Sequence, residues 1–399
     1  MKQNIAKFFP SITLKDIFGP NLILNYRASF SNFGWLPKDQ AQLDFYTGLP
    51  LTIAGDMPVI CNSSVITKEV ISLIEKGNLP IAPTLHTYRA ETDYRNILNK
   101  FINEDKKLVF THIHPPKEVK RNAYWINPQL VGFLNNKSSL EKLVPQGHAP
   151  RRIIIPPPKI EEASLSFRFP MVVKAATDEP NGGGYDVSIC YNINDIEKAK
   201  NHFIACKEVI VEEYLDIAEN YCVQFAKTFL GQIVYLGTTE QIINKSGLYL
   251  GNWIIKNKKL PNEVVDLGRS IMETASRLGY MGIAGFDIVV TNDNRVLAID
   301  LNFRINGSTA ALLLHQSILQ NTPFSVLLFR SWKTSANWEK FIYLTNMAID
   351  NLRLIPLAIY NPKSSPYPNA APLLSGILIG SSKEELLKND FLLNKNRLL

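Results

Sequence analysis

Asp287 in "GFDIVV" and Asp300, Asn302 and Arg304 in "VLAIDLNFRING" are side chains whose types and spacing can do chemistry. The two stretches read as strands joined by the polar turn "TNDN". A turn that pairs Asn292 with Arg295 puts Asp287 directly opposite Asp300. Directly opposed side chains lie about 5 Å apart. Two carboxylates that close repel, and one must take up a proton unless a cation sits between them. Alternation puts Asn302 and Arg304 on the face of Asp300, and Ile299, Leu301 and Phe303 on the other. That face offers two carboxylates and an amide oxygen. Such a set suits Mg²⁺, which takes one or two carboxylates plus phosphate oxygens. Arg304 can hold a phosphoryl or carboxylate group through paired donors. A solvated surface hairpin would not set its acids among such apolar neighbours.

Two further stretches could serve the same chemistry. Lys174 ends the apolar strand "FPMVVK", and the loop "DEPNGGGYD" then leads into another strand. A Walker loop or dinucleotide fingerprint needs a helix after its glycines, so both are excluded. Gly182, Gly183 and Gly184 would let backbone N–H groups approach phosphate oxygens, with Lys174 as a point charge. The competing reading is an ordinary Asn-Gly hairpin. "VIVEEYLDIAEN" is a strand that ends in acids. It could offer backbone groups to an adenine edge and an acid to the ribose, or it could be a solvated strand end. His112 and His114 in "FTHIHPP" could be two metal ligands, but the sequence shows no third nearby.

The elements that must position these residues follow from pattern. At 399 residues the chain exceeds one ordinary core and should form two or three subdomains. With 46% hydrophobic and 20% charged residues it reads as soluble and globular. No apolar run approaches the roughly 20 residues of a membrane span, and the N-terminus lacks the apolar core of a signal peptide. Cysteines 61, 190, 206 and 222 form no C-x-x-C pair, so reduced core cysteines in a cytoplasmic protein are expected. The net charge of +7 comes from scattered lysines rather than a basic stripe, which argues against a nucleic-acid partner. Residues 1–50 look irregular. A strand-helix alternation up to about 130 suggests a small α/β layer, and residues 135–158 end in a Pro-rich connector. The remainder is strand-rich.

In this order and spacing the three stretches resemble the ATP-grasp superfamily, over roughly residues 120–310. The resemblance implies an α/β (α+β) ATP-grasp fold. Its parts would be an N-terminal α/β pre-grasp domain (1–130), a central subdomain with the glycine lid (131–211) and a C-terminal antiparallel-sheet subdomain with the metal site (212–399). It implies ATP and Mg²⁺ (or Mn²⁺) as cofactors. Asp287, Asp300 and Asn302 would hold the metal; Asp300 stands where the family usually has Glu. Lys137 and Lys174 match the two nucleotide lysines. Gly182, Gly183 and Gly184 match the lid, although the Arg or Lys often found beside them is missing. Glu212, Glu213 and Leu215 match the adenine hinge, Glu219 the ribose side, and Arg304 the arginine that steadies the γ-phosphate and acyl phosphate. Gln241 and Lys245 are candidates for the acceptor site, Lys245 equally a plain surface lysine, and His315 either faces the site after Arg304 or, the favoured reading, is a satisfied core histidine. The activity implied is an ADP-forming, ATP-dependent ligation of a carboxylate to an amine, amino acids or short peptides, in the cytoplasm, with no membrane partner and with a homodimer compatible. A carboxylate–thiol ligase, a carboxylase and a nucleotide-binding module without catalysis are the alternatives. A basic nucleic-acid-binding protein is the alternative from another class.

Overall fold

The computed structural model describes residues 7–32, 34–244, 247–351 and 354–395. Three sheets organise them. The first is built from β1 (Leu22–Asn25), β2 (Val59–Asn62), β3 (Leu85–Tyr88) and β4 (Lys107–Phe110), all parallel, in the order β3-β2-β1-β4. Residues 1–50 therefore hold a central strand rather than irregular chain. With only the four residues "LILN", β1 offers too little alternation to be recognised in advance. Parallel strands need helical crossovers. The helices Lys68–Lys76 and Glu91–Asn103 supply two of them.

The second sheet contains β5 (Arg152–Ile155), β6 (Met171–Ala176), β7 (Val187–Cys190) and β8 (Glu208–Glu213), antiparallel in the order β5-β8-β6-β7. Its faces differ in kind. Val173, Val209 and Val211 point into a core closed by Ile196 and Ala199 of the helix Ile193–His202. On the other face lie Arg152, Lys174 and Glu212, because side chains alternate and the register pairs Arg152 with Glu212 and Glu212 with Val172.

The third sheet has eight strands in the order β13-β12-β9-β10-β11-β14-β16-β15. They are β9 (Ile217–Lys227), β10 (Ile233–Ile243), β11 (Tyr249–Ile255), β12 (Gly282–Thr291), β13 (Val296–Asn302), β14 (Val326–Lys333), β15 (Leu354–Tyr360) and β16 (Leu373–Gly380). Its pairings are antiparallel. The helix Asn262–Arg277 covers one face through Val264, Leu267, Ile271 and Ala275, which meet Tyr221, Val223, Phe286 and Leu301. Leu134, Leu140 and Leu143 belong to that same core. Residues between 134 and 144 thus pack with the third sheet rather than with the second. The chain passes from the second sheet to the third in Tyr214–Asp216, between the end of β8 and the start of β9.

Candidate active site

The site lies between the polar face of the second sheet and the face of the third that carries Asp287. Asp287 on β12 pairs with Asp300 on β13. The expected opposition is there, but the turn register behind the expectation differs. Thr291, not Asn292, faces Arg295, with Thr291 N–H donating to the Arg295 carbonyl at 3.0 Å. A bulge restores the pairing: Ile288 faces Ala298 and Asp287 faces Asp300, so Ile299 is the extra residue. One inserted residue displaces the alternation. Ile299 accordingly packs with Leu215, Val289 and Leu297, against the expectation that it faces the opposite core. Its carbonyl accepts from the Lys174 ammonium at 2.9 Å.

A cation does stand at the acid pair, and it is a side chain. Lys137 Nζ lies 2.5 Å from Asp300 Oδ1 and 3.4 Å from Asp186 Oδ2, although Lys137 is only 7% exposed. Burial opposes its charge, but the two carboxylates outweigh burial and raise its pKa. Burial likewise works against the Asp300 carboxylate, yet Lys137 holds its pKa below the usual value. Asp287 lacks such a partner and is pushed up to about 7 by burial and by Asp300. The Gln241 amide donates to Asp287 Oδ1 at 2.7 Å, which ties Gln241 to the acid pair. Asn302 is buried, and its Nδ2 reaches Asp300 Oδ2 at 3.4 Å.

Lys174 Nζ lies 2.6 Å from Glu212 Oε2, and Arg152 Nη1 lies 3.5 Å from Glu212 Oε1. All three are buried. Glu212 therefore balances two cations rather than reaching outward. Removing one partner of a buried ion pair typically costs about 3–5 kcal/mol. Glu212→Ala, which leaves both cations uncompensated, is expected to lose about that much in denaturant unfolding, and Glu212→Gln less. An unchanged midpoint for the alanine variant would contradict this account. Glu213 turns away to Arg295 at 3.0 Å, and that guanidinium overcomes burial to hold its carboxyl below the usual range. Leu215 joins the apolar cluster with Val289, Leu297 and Ile299.

Glu219 is not brought to this face. It pairs with Val290, one position out of phase with Val289, and reaches Lys258 at 3.8 Å on the side of Tyr221 and Glu240. Asn220 pairs with Val289 and shares the face of Asp287, and its buried Oδ1 has no hydrogen-bond partner among the described residues. Arg304 lies beyond the end of β13 rather than on it. Its Nη1 donates to Asn135 Oδ1 at 3.2 Å. Gly183 and Gly184 adopt left-handed backbone, with φ of 70° and 86°, and a Cβ on Gly184 would stand 2.9 Å from the Gly247 carbonyl oxygen. Gly182 lies close to both Leu36 and Arg304, so the loop sits over the arginine. Lys245 lies outside the described residues. His315 bonds the Leu312 carbonyl and lines a cavity of about 250 Å³ with Tyr221, Glu240 and Lys258, behind the sheet. His114 is held by Tyr94 at 2.7 Å and by the His112 carbonyl at 3.1 Å.

The sequence reading missed Arg152, Asp186, Asn135 and Asn220. Asp186 closes "DEPNGGGYD", where the three glycines carry the stronger local signal. Arg152 would have followed from pairing "RRIII" with "VIVEE". Asn135 carried no local signal.

The donor set fits a nucleotide with a divalent cation. Among the described residues no group of three or more His, Cys, Asp or Glu side chains could hold a metal alone. Asp186 Oδ2, Glu212 Oε1 and Arg152 Nη1 are buried and make no hydrogen bond among the described residues; the first is held by Lys137 at 3.4 Å and the other two by each other at 3.5 Å, ion-pair distances longer than hydrogen bonds.

Comparison with known proteins gives two family matches. A model described as L-aspartate–L-methionine ligase, ATP grasp, matches residues 150–302, and one described as the L-aspartate–L-methionine ligase N-terminal domain matches residues 13–132. Among solved structures, N5-carboxyaminoimidazole synthetase from Staphylococcus aureus complexed with ADP is similar at TM-score 0.60 and 10% identity, over 98% of each chain. The biotin carboxylase domain of a Hydrogenobacter thermophilus 2-oxoglutarate carboxylase, bound to MgADP, is similar at TM-score 0.53 and 12% identity, over 92% of this chain and 88% of that one. An L-amino acid ligase from Bacillus licheniformis is similar at TM-score 0.53 and 14% identity, over 94% and 97%. Among the described residues no helix is long and apolar enough to cross a membrane.

Proposed function

Because the chain belongs to the ATP-grasp superfamily and is an ATP-dependent carboxylate–amine ligase, we propose that it joins L-aspartate, as the acid, to L-methionine, as the amine. The carrying observation is that both its N-terminal part and its ATP-grasp part match models of that one ligase. In this reading a carboxylate oxygen of aspartate attacks the γ-phosphorus of ATP, ADP leaves, and an acyl phosphate remains. The methionine nitrogen, having lost a proton, then attacks the acyl carbon, and phosphate leaves as the amide forms.

The chain's own residues position and neutralise rather than react covalently. Lys137 and Lys174, which now face carboxylates and the Ile299 carbonyl, would turn to the phosphates. Asp287, Asp300 and Asn302 would hold Mg²⁺, which would neutralise charge on the phosphate oxygens. Leu215, Val289, Leu297 and Ile299 would cover the adenine, and Asn220 is better placed than Glu219 to meet the ribose side. Arg304, under the glycine loop, would meet the transferred phosphoryl group.

Incubation of the purified protein with ATP, Mg²⁺, L-aspartate and L-methionine should release ADP and phosphate. It should yield a product whose mass is that of the two amino acids less one water. Omitting either amino acid should suppress ADP release. Faster turnover with a different acid–amine pair would overturn the substrate assignment.

A further inference from the structure

Three consecutive residues tie the glycine loop to both sheets. Asn135 ends the helix Pro128–Asn135. Its Oδ1 accepts from Phe303 N–H at 3.0 Å and from Arg304 Nη1 at 3.2 Å, while its Nδ2 reaches the Phe303 carbonyl at 3.4 Å. Asn136 follows, and its Nδ2 donates to Asp178 Oδ1 at 2.7 Å, near the start of the loop. Its Oδ1 meanwhile accepts from Ser138 N–H at 2.9 Å and Ser138 Oγ at 2.8 Å, which fixes the amide's orientation. Lys137 comes next, on Asp300 and on Asp186, at the far end of the same loop. The two ends of the loop, Asp178 and Asp186, are thus caught by adjacent residues. The chain immediately before them grips the backbone beside Arg304.

The loop is also seated from above. Trp35 N–H donates to the Pro180 carbonyl at 2.7 Å, and Tyr249 N–H donates to the Gly183 carbonyl at 3.3 Å. Closure of the loop, the Lys137 ammonium and the Arg304 guanidinium therefore share one short rigid piece of chain.

We propose that Asn136 is a positioning residue, a latch whose amide holds the closed glycine loop through Asp178 and so couples closure to the placement of Lys137 and Arg304. This rests on the ligase reading for its consequence in turnover, but not for the latch itself. The bond joins a neutral amide to a carboxylate, which makes it stronger than a neutral pair. It is exposed, so its effect is modest. Its loss should shift the loop toward open by about tenfold at most.

The pairing can be reversed without disturbing the fold. Asn136→Asp keeps the acceptor that Ser138 uses, but sets two carboxylates against each other. Asp178→Asn combined with it restores one donor and one acceptor, with the partners exchanged. Protection of the 178–185 segment from proteolysis by ATP·Mg²⁺, ATP affinity by calorimetry, and kcat and KM for ATP should be measured on the wild type, Asn136→Asp and the double variant. Asn136→Asp alone should weaken protection and ATP affinity about five- to tenfold, raising KM and lowering kcat together. The double variant should return within about twofold of wild type. A double variant as impaired as Asn136→Asp, or an Asn136→Asp indistinguishable from wild type, would overturn the latch. If the wild type formed no ADP with any acid and amine while the exchange still restored protection, the ligase reading would fail and the latch would stand. Normal turnover without the exchange pattern would mean the reverse.

Discussion

Asp300→Ala is expected to lose at least about a hundredfold in product-forming turnover while remaining folded. Asp300 is the near partner of Lys137 at 2.5 Å and faces Asp287 across the hairpin. With nucleotide bound, the two carboxylates would share the cation, and Lys137 would be released to phosphate. A metal's stabilisation of transition-state charge is worth several kcal/mol, and each ~1.4 kcal/mol is tenfold in rate. The alanine variant leaves buried Lys137 with Asp186 alone, at 3.4 Å, so part of its effect could be structural. Asp300→Asn separates the two. It keeps the shape, relieves the repulsion that pushes Asp287 up, and still removes the metal charge. Both variants should lose the Mg²⁺-dependent part of the melting shift that ATP produces, because a ligand stabilises only the state that binds it. Near-normal turnover in Asp300→Asn would remove Asp300 from the metal site.

Arg304→Lys should bind ATP·Mg²⁺ within a few-fold of wild type and lose on the order of 10²–10³ in turnover, as the loss of one well-placed oxyanion donor typically does. The guanidinium already spends one nitrogen on Asn135 and still has donors to direct toward the site. A lysine ammonium cannot hold Asn135 and a phosphoryl or carboxylate group in the same planar fork. The contact should strengthen as charge moves onto the acyl phosphate, so it should count in the transition state more than in ATP binding. Calorimetry and an ADP-coupled assay on one preparation give both quantities. If ATP affinity collapses as far as turnover does, Arg304 belongs to the nucleotide site and its acyl-phosphate role is wrong.

The opposition of Asp287 and Asp300 is legible because strand alternation and a polar turn are local properties, written within fourteen residues. Even so, the pairing was reached through a turn register that the protein does not use. The bulge at Ile299 supplies the missing step. A bulge in an apolar strand leaves no compositional mark, which is why alternation alone puts Ile299 on the wrong face. Lys174 and the glycine loop were legible for the same local reason, as a charged end to an apolar strand followed by residues that tolerate left-handed backbone.

The sequence by itself determined that a strand hairpin would face two acids toward each other, that a lysine and a glycine loop would precede it, and that the chain is of the ATP-grasp kind. Only the tertiary structure decided which charges meet. Lys137 reaches Asp300 across 163 positions of sequence. Glu212 is spent on Lys174 and Arg152, and Glu219 falls behind the sheet while Asn220 falls in front. The physical reason is that the face a side chain takes follows from its neighbours two residues away. The partner it finds across the cleft depends instead on how two sheets stack, and on the register and bulges of every strand between.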